Sequence, residues 1–189
     1  MNHPARSLVL GLMFASGASA ASVAIAADQS QPAKWVSRDV NYTYQGFTSQ
    51  YSCDGLRRNV VTIMRALGAR KSDLNIKITP CVAPGVSQIS FSPGVRGTIS
   101  VLVPATAEEV SRADPDIVPA HWETTNVVRT KNLDTKRGSQ CELLEQSKRY
   151  LLPLFSTRNL DFSSDCVPNQ IAVGSITFKV DVLQVDSKP

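Results

Sequence analysis

The chain reads as an α+β protein made of an internally duplicated β-α-β-β unit, with a mostly antiparallel sheet, two helices on one face and two disulfides. Three observations predict this. Five landmarks recur in order at a nearly constant spacing, each half alternates strand-like text with one helical stretch, and the cysteine count is even behind an export leader.

The landmarks begin with Pro32-Ala33-Lys34-Trp35, answered by Pro119-Ala120-His121-Trp122, and Asp39-Val40, answered by Asn126-Val127. Cys53 follows Trp35 by 18 residues and Cys141 follows Trp122 by 19. Cys81-Val82 is then matched by Cys166-Val167, and Gln88-Ile89 by Gln170-Ile171. The offsets drift only between 82 and 88 residues, which a chance alignment of tryptophans and cysteines would not hold. The pseudo-repeats therefore span about 32–105 and 119–187, joined by a linker, and they are too small to stand apart without their disulfides. One joint core over residues 27–189 is expected.

Within the first repeat, Val40, Tyr42 and Tyr44 alternate with polar residues as a strand does. Leu56, Val60, Ile63, Met64 and Leu67 then fall at helical spacing, with Ser52 placed to cap the start and Gly68 to stop the end. Leu74, Ile76 and Ile78 return to alternation, and Ile89 to Phe91 and Ile99, Val101 and Val103 supply further strand text past a Pro93-Gly94 turn. In the second repeat a strand is expected from Trp122 toward Val127-Val128, then a helix opened by the capping box Ser139-Gln140-Cys141-Glu142. That helix carries Leu143, Leu144, Ser147 and Leu151 and is limited by Pro153. Leu160 and Phe162 mark the next strand, and residues 171–185 a final strand or hairpin. Residues 106–118 read as a linker with one helical turn.

Chain geometry selects the disulfide pairing. A helix from Cys53 to Leu67 rises about 21 Å, and a strand from Leu74 to Cys81 travels back about 23 Å, so Cys81 returns to the helix start. The same lengths hold in the second repeat. The expected bridges are Cys53 with Cys81 and Cys141 with Cys166, each stabilising its repeat by about 3–4 kcal/mol on the chain-entropy model. No CxxC pair occurs, so neither a thioredoxin-type site nor a zinc ribbon is indicated.

Residues 1–26 have the layout of a secretory signal peptide: Arg6 without an acid, the apolar run from Leu8 to Ala15, and the cleavage motif Ala24-Ile25-Ala26, with Ala18-Ser19-Ala20 as the alternative. The apolar run is shorter than the roughly 20 residues that span a bilayer. The expectation is a soluble periplasmic or secreted protein with no transmembrane segment. Its net charge of +4, reduced by one when Arg6 leaves, is no nucleic-acid footprint.

Candidate binding residues are few. Arg57, Arg58 and Arg65 on the first helix, with Arg70 and Lys71 after it, would suit an anionic glycan or an acidic patch on an envelope protein. Trp35 and Trp122 are paired by the repeat, which favours a shared packing role over ligand stacking. His121 is the one histidine beyond the leader, which removes multi-histidine metal sites, and no GxSxG stands ready to supply a nucleophile for it. Asp114 and Asp116, with Glu108-Glu109 before them, are the carboxylates that hydrolysis or calcium binding would need, although their spacing matches no EF-hand loop. No glycine-rich phosphate loop, dinucleotide fingerprint or haem motif occurs, so no cofactor or metal is expected. The expected function is a non-enzymatic binding or accessory protein. The alternatives are a small carboxylate-dependent hydrolase and an inhibitor of an exported enzyme.

Overall fold

The computed structural model describes residues 29–46, 51–79, 92–131, 133, 140–167 and 175–186. In chain order the elements are β1 (Gln31–Thr43), α1 (Cys53–Ala66), β2 (Asn75–Thr79), β3 (Gly94–Pro104), α2 (Ala107–Ser111), β4 (Ile117–Asn126), α3 (Gln140–Tyr150), β5 (Thr157–Ser164) and β6 (Ile176–Val185). The strands form one six-stranded sheet in the order β2-β3-β1-β4-β6-β5, antiparallel at each pairing. Strands from residues 31–104 thus lie on one side and strands from 117–185 on the other.

The two sides of the sheet are joined by a ladder in which Gln31, Pro32, Ala33 and Lys34 of β1 pair with Ala120, Pro119, Val118 and Ile117 of β4. Proline cannot donate to a ladder, yet Pro32 and Pro119 face each other here. The Pro32 carbonyl accepts from Ala105 N–H and the Pro119 carbonyl from Asp186 N–H, both at 3.0 Å. Each proline therefore turns its missing donor away from the seam, so none of the bonds across the seam is lost.

Local chemistry sets the helices. Ser52 caps α1, its hydroxyl accepting from Gly55 N–H at 3.1 Å, and Gly68 ends it at φ +96°. Leu56, Val60, Ile63 and Met64 line the buried side. In α3, Leu143 and Leu144 are buried, and the chain tightens into a 3-10 turn at Leu152–Leu154 around Pro153. These helix residues join Val40, Tyr42, Val101, Phe178, Val180 and Val182 in one hydrophobic core drawn from both halves of the chain. The end of β1 is also tied to α3: Tyr44 Oη donates to Glu142 Oε2 at 3.0 Å, and Gln146 Nε2 to the Gln45 carbonyl at 2.8 Å. Burial pushes the phenols of Tyr42 and Tyr44 up, out of the ordinary tyrosine range.

The opposite face of the sheet carries a second, smaller cluster of Ala33, Leu102, Ala120 and Leu183, against which Trp35, Val118 and Trp122 pack.

Several boundaries differ from the sequence reading. β1 begins at Gln31 and β4 at Ile117, earlier than alternation alone suggests, because the seam recruits both proline-containing segments. Val127–Arg129 is a 3-10 turn, capped by Asn126 Oδ1 accepting from Arg129 N–H at 3.3 Å. The linker holds a third helix, α2, closed by a capping box between Thr106 and Glu109.

Cys141 and Cys166 form a disulfide with their Cα atoms 5.8 Å apart, joining the first turn of α3 to the chain just after β5. Cys53 is also disulfide-bonded, while Cys81 lies outside the described residues. The leader, Ser139, and the segments 80–91 and 168–174 lie outside them as well. Among the described residues no helix is long and apolar enough to cross a membrane.

Candidate functional site

The helix-free face presents two tryptophans in matching surroundings. Trp35 of β1 is the cross-strand partner of Leu102, and Trp122 of β4 is the partner of Leu183. Both rings are half-buried, and beneath them Ala33 and Ala120 are fully buried. The small side chains of Ala33 and Ala120 belong to the cluster against which the indoles pack. Each ring is then roofed by an arginine, Arg70 at 5.3 Å from the Trp35 centroid and Arg158 at 4.7 Å from that of Trp122. Such cation–π contacts contribute about 0.5–1 kcal/mol where exposed.

Carboxylates hold both arginines in place. Arg70 lies 3.6 Å from Asp73, which also accepts from the hydroxyls of Ser72 at 2.6 Å and Ser100 at 2.8 Å. Those two hydroxyls, and then Arg70, hold the Asp73 carboxyl below its usual range. Arg158 Nε reaches Asp181 at 3.3 Å. Asp181 is largely buried and accepts from Thr124 Oγ1 at 2.6 Å and Asn159 Nδ2 at 2.7 Å as well. The Thr124 bond is the foremost cause of its lowered pKa, with Asn159 and Arg158 adding to it. Asn159 takes φ +51° at an irregularity of β5, which turns its amide onto Asp181.

The structure disperses the residues singled out from the sequence. Trp122 belongs to this face, but Arg58 and Arg65 are exposed on α1, and Arg57 is spent partly on Asp54 at 3.9 Å. Since the buried side of α1 joins the main core, these three arginines point away from the tryptophans. Of the basic group near α1, Arg70 is the one that reaches an indole.

His121 Nδ1 lies 2.6 Å from Asp186 Oδ1, and Ser30 Oγ donates to Asp186 Oδ2 at 2.5 Å. The serine bond, followed by the histidine, lowers the Asp186 pKa. A nucleophilic relay needs the hydroxyl on the imidazole, whereas here the hydroxyl meets the carboxylate. The trio fastens the start of β1 and the end of β6 to β4.

Asp114 and Asp116 shape a turn. Asp116 N–H donates to Asp114 Oδ1 at 3.0 Å, and Ile117 N–H to the Asp114 carbonyl at 3.2 Å, delivering the chain into β4. Glu108 bonds Arg112, and Glu109 bonds Lys34 while closing the α2 capping box. The Lys34 bond and the Thr106 N–H bring the Glu109 pKa down to about 2. The carboxylates of Glu108, Glu109 and Asp114 are thus engaged in structure, and Asp116 takes part through its backbone N–H. No group of three or more potential metal ligands occurs among the described residues.

Sequence reasoning missed Arg158, Asp181 and the arginine roofs altogether. Their signal is conformational: only the irregularity in β5 and the turn after α1 bring these side chains over the indoles. No protein-family model matches the chain, and it matches no curated protein and no solved structure.

Proposed function

We propose that the mature chain is an exported, non-enzymatic binding protein that takes an anionic glycan on its helix-free sheet face. The carrying observation is the pair of arginine-roofed tryptophans on that face, with half the surface of each arginine side chain still open to solvent. Guanidinium and indole together suit a chain of sugar rings bearing acid groups: the cation is a partner for carboxylate or sulfate, and the open edge of the indole beneath it adds apolar contact. The register places Ser37, Asn41, Thr98 and Ser100 on the same face, and these are further hydrogen-bonding groups for hydroxyls. The large exposed apolar side chains, Val110, Tyr150, Leu160, Val167 and Val185, are scattered over separate elements. An apolar docking patch for a protein would gather them.

The two halves are copies of one β-α-β-β unit related by a pseudo-twofold axis through the Pro32–Pro119 pair. Supporting this, the repeat places Pro32, Ala33 and Trp35 opposite Pro119, Ala120 and Trp122, and the seam register is unchanged when the halves are exchanged. Arg70 and Arg158 stand 88 residues apart, as do the buried polar helix residues Asn59 and Ser147. Cys53 pairs with Cys81, residues 1–26 are removed on export, and residues 27–189 fold as one domain. A disulfide fits an oxidising compartment outside the cytoplasm.

Tryptophan fluorescence of the mature protein, titrated with polygalacturonate and with dextran of similar length, tests the proposal. The expected result is a saturable, salt-sensitive change with the acidic polymer alone, weakened at least about tenfold in Arg70→Ala/Arg158→Ala. An equal response to dextran, or no response to either, would overturn it. Equal binding of poly-glutamate would also overturn it, in favour of an acidic protein partner.

A further inference from the structure

The register sets two cations side by side, with no ion-pair partner for either among the described residues. Lys77 of β2 is the direct cross-strand partner of Arg96 of β3, and Asn41 of β1 is the partner of Arg96 on its other side. Their flanking residues Ile76, Val95, Val40 and Tyr42 are buried in the main core, so alternation puts Asn41, Arg96 and Lys77 in one row on the helix-free face. All three are exposed. Directly opposed side chains have Cβ atoms about 4.5–5.5 Å apart, and like charges there are destabilising. Natural sheets place opposite charges at such a pair, but among the described residues neither Lys77 nor Arg96 has an ion-pair partner. The closest carboxylate by register, Asp39, stands one row away, diagonal to Arg96 at a distance of about 7–8 Å. Beside the row lies a groove of about 220 Å³, lined by Asn41, Thr43, Thr79, Gly94 and Arg96.

The second half lacks this arrangement. The matching row near the start of β6 pairs Ser163 with Thr177, and the neighbouring Lys179 lies opposite Asp161 at 4.0 Å. The unbalanced charge is therefore confined to the first half.

We infer that Lys77, Arg96 and Asn41 form an anion-binding subsite that holds one acid group, a carboxylate or a sulfate or phosphate ester, of the glycan lying across this face. The inference rests on the proposed glycan binding. The guanidinium offers paired N–H donors to two oxygens, the ammonium adds charge, and the Asn41 amide donates to a third or accepts from a sugar hydroxyl. Thr43 and Thr79 flank the groove with hydroxyls for the neighbouring ring. Two adjoining cations with no carboxylate partner among the described residues are the arrangement expected where a ligand supplies the counter-charge.

The test is a calorimetric titration of the mature protein and of Lys77→Gln/Arg96→Gln with trigalacturonate, neutral galactotriose and inorganic phosphate. The wild type should bind trigalacturonate and not galactotriose, and the double variant should bind it at least about tenfold more weakly. The melting temperature of the variant should be unchanged or raised, since a like-charge pair has been relieved. Phosphate affinity that also depends on the two cations would mark the general anion chemistry, whereas dependence for trigalacturonate alone would assign the site to carboxylate. Undiminished trigalacturonate binding by the variant overturns the subsite while leaving the glycan reading intact. A lowered melting temperature together with lost binding assigns the pair a structural role and also overturns it. If the wild type binds phosphate through Lys77 and Arg96 but no acidic sugar, the anion site stands and the glycan reading fails.

Discussion

Removing the Cys141–Cys166 bridge, as Cys141→Ala/Cys166→Ala, should destabilise the protein by about 3.5 kcal/mol. The bridge closes a loop of 25 residues, and the chain-entropy relation gives about 11.7 cal/mol/K for that length, or about 3.5 kcal/mol at 25 °C. Against a total stability of about 5–15 kcal/mol for a domain, such a loss should move a denaturation midpoint plainly. It should also act on both halves, because Leu143 and Leu144, which follow Cys141 in α3, share one core with Leu56 and Val101. Urea unfolding followed separately by far-ultraviolet circular dichroism and by tryptophan fluorescence reads both quantities. The expected outcome is a lowered midpoint with the two signals still superimposed, since that core is built by the other face of β1, which carries Trp35, and by the other face of β6, against which Trp122 packs. A loss below about 1 kcal/mol would refute the loop argument, and separated transitions would refute the shared core.

Other outcomes follow from single residues. Gly97 pairs with Val40 and Ile76 in the middle of the first three strands, at φ +153°, and a Cβ there would fall 1.8 Å from the Asn75 carbonyl oxygen. Gly97→Ala should therefore destabilise the fold by at least about 2–3 kcal/mol in the same urea assay. Glu109 has its pKa depressed from 4.5 to about 2, so its contribution is present above pH 4.5 and is lost as the pH falls from there toward 2. Melting temperatures of the wild type and Glu109→Gln should accordingly differ at pH 6 and converge by pH 2; a gap that persists at pH 2 would contradict the assignment. Non-reducing peptide mapping should join Cys53 to Cys81, and a peptide linking Cys53 to Cys141 or Cys166 would contradict both the pairing and the repeat.

Much of the fold was legible where one physical signal dominated. The helical spacing of Leu56, Val60 and Ile63 between Ser52 and Gly68 located α1, and the chain lengths after Cys141 brought Cys166 back to the start of α3. The signal failed where tertiary pairing overrides local preference. Pro32 and Pro119 argue against strands when met alone, and only their opposition at the seam makes both acceptable. The site was less legible still. Lys77 and Arg96 are ordinary surface residues of two strands until a register sets them side by side, and that register follows from a long connection whose length does not encode it. Arg158 reaches Trp122 from an edge strand disturbed at Asn159, a local backbone event that composition does not announce. The basic residues most visible in the sequence, Arg57, Arg58 and Arg65, fall instead on the far side of α1.

That division supplies the most direct test of the proposed function, because the two basic surfaces look in different directions. Amide chemical-shift mapping with an oligogalacturonate long enough to cross the sheet should perturb Trp35, Lys77, Arg96 and Trp122 along the helix-free face and leave Arg58 and Arg65 unmoved. Shifts centred on Arg58 and Arg65, with the tryptophan face silent, would contradict the account.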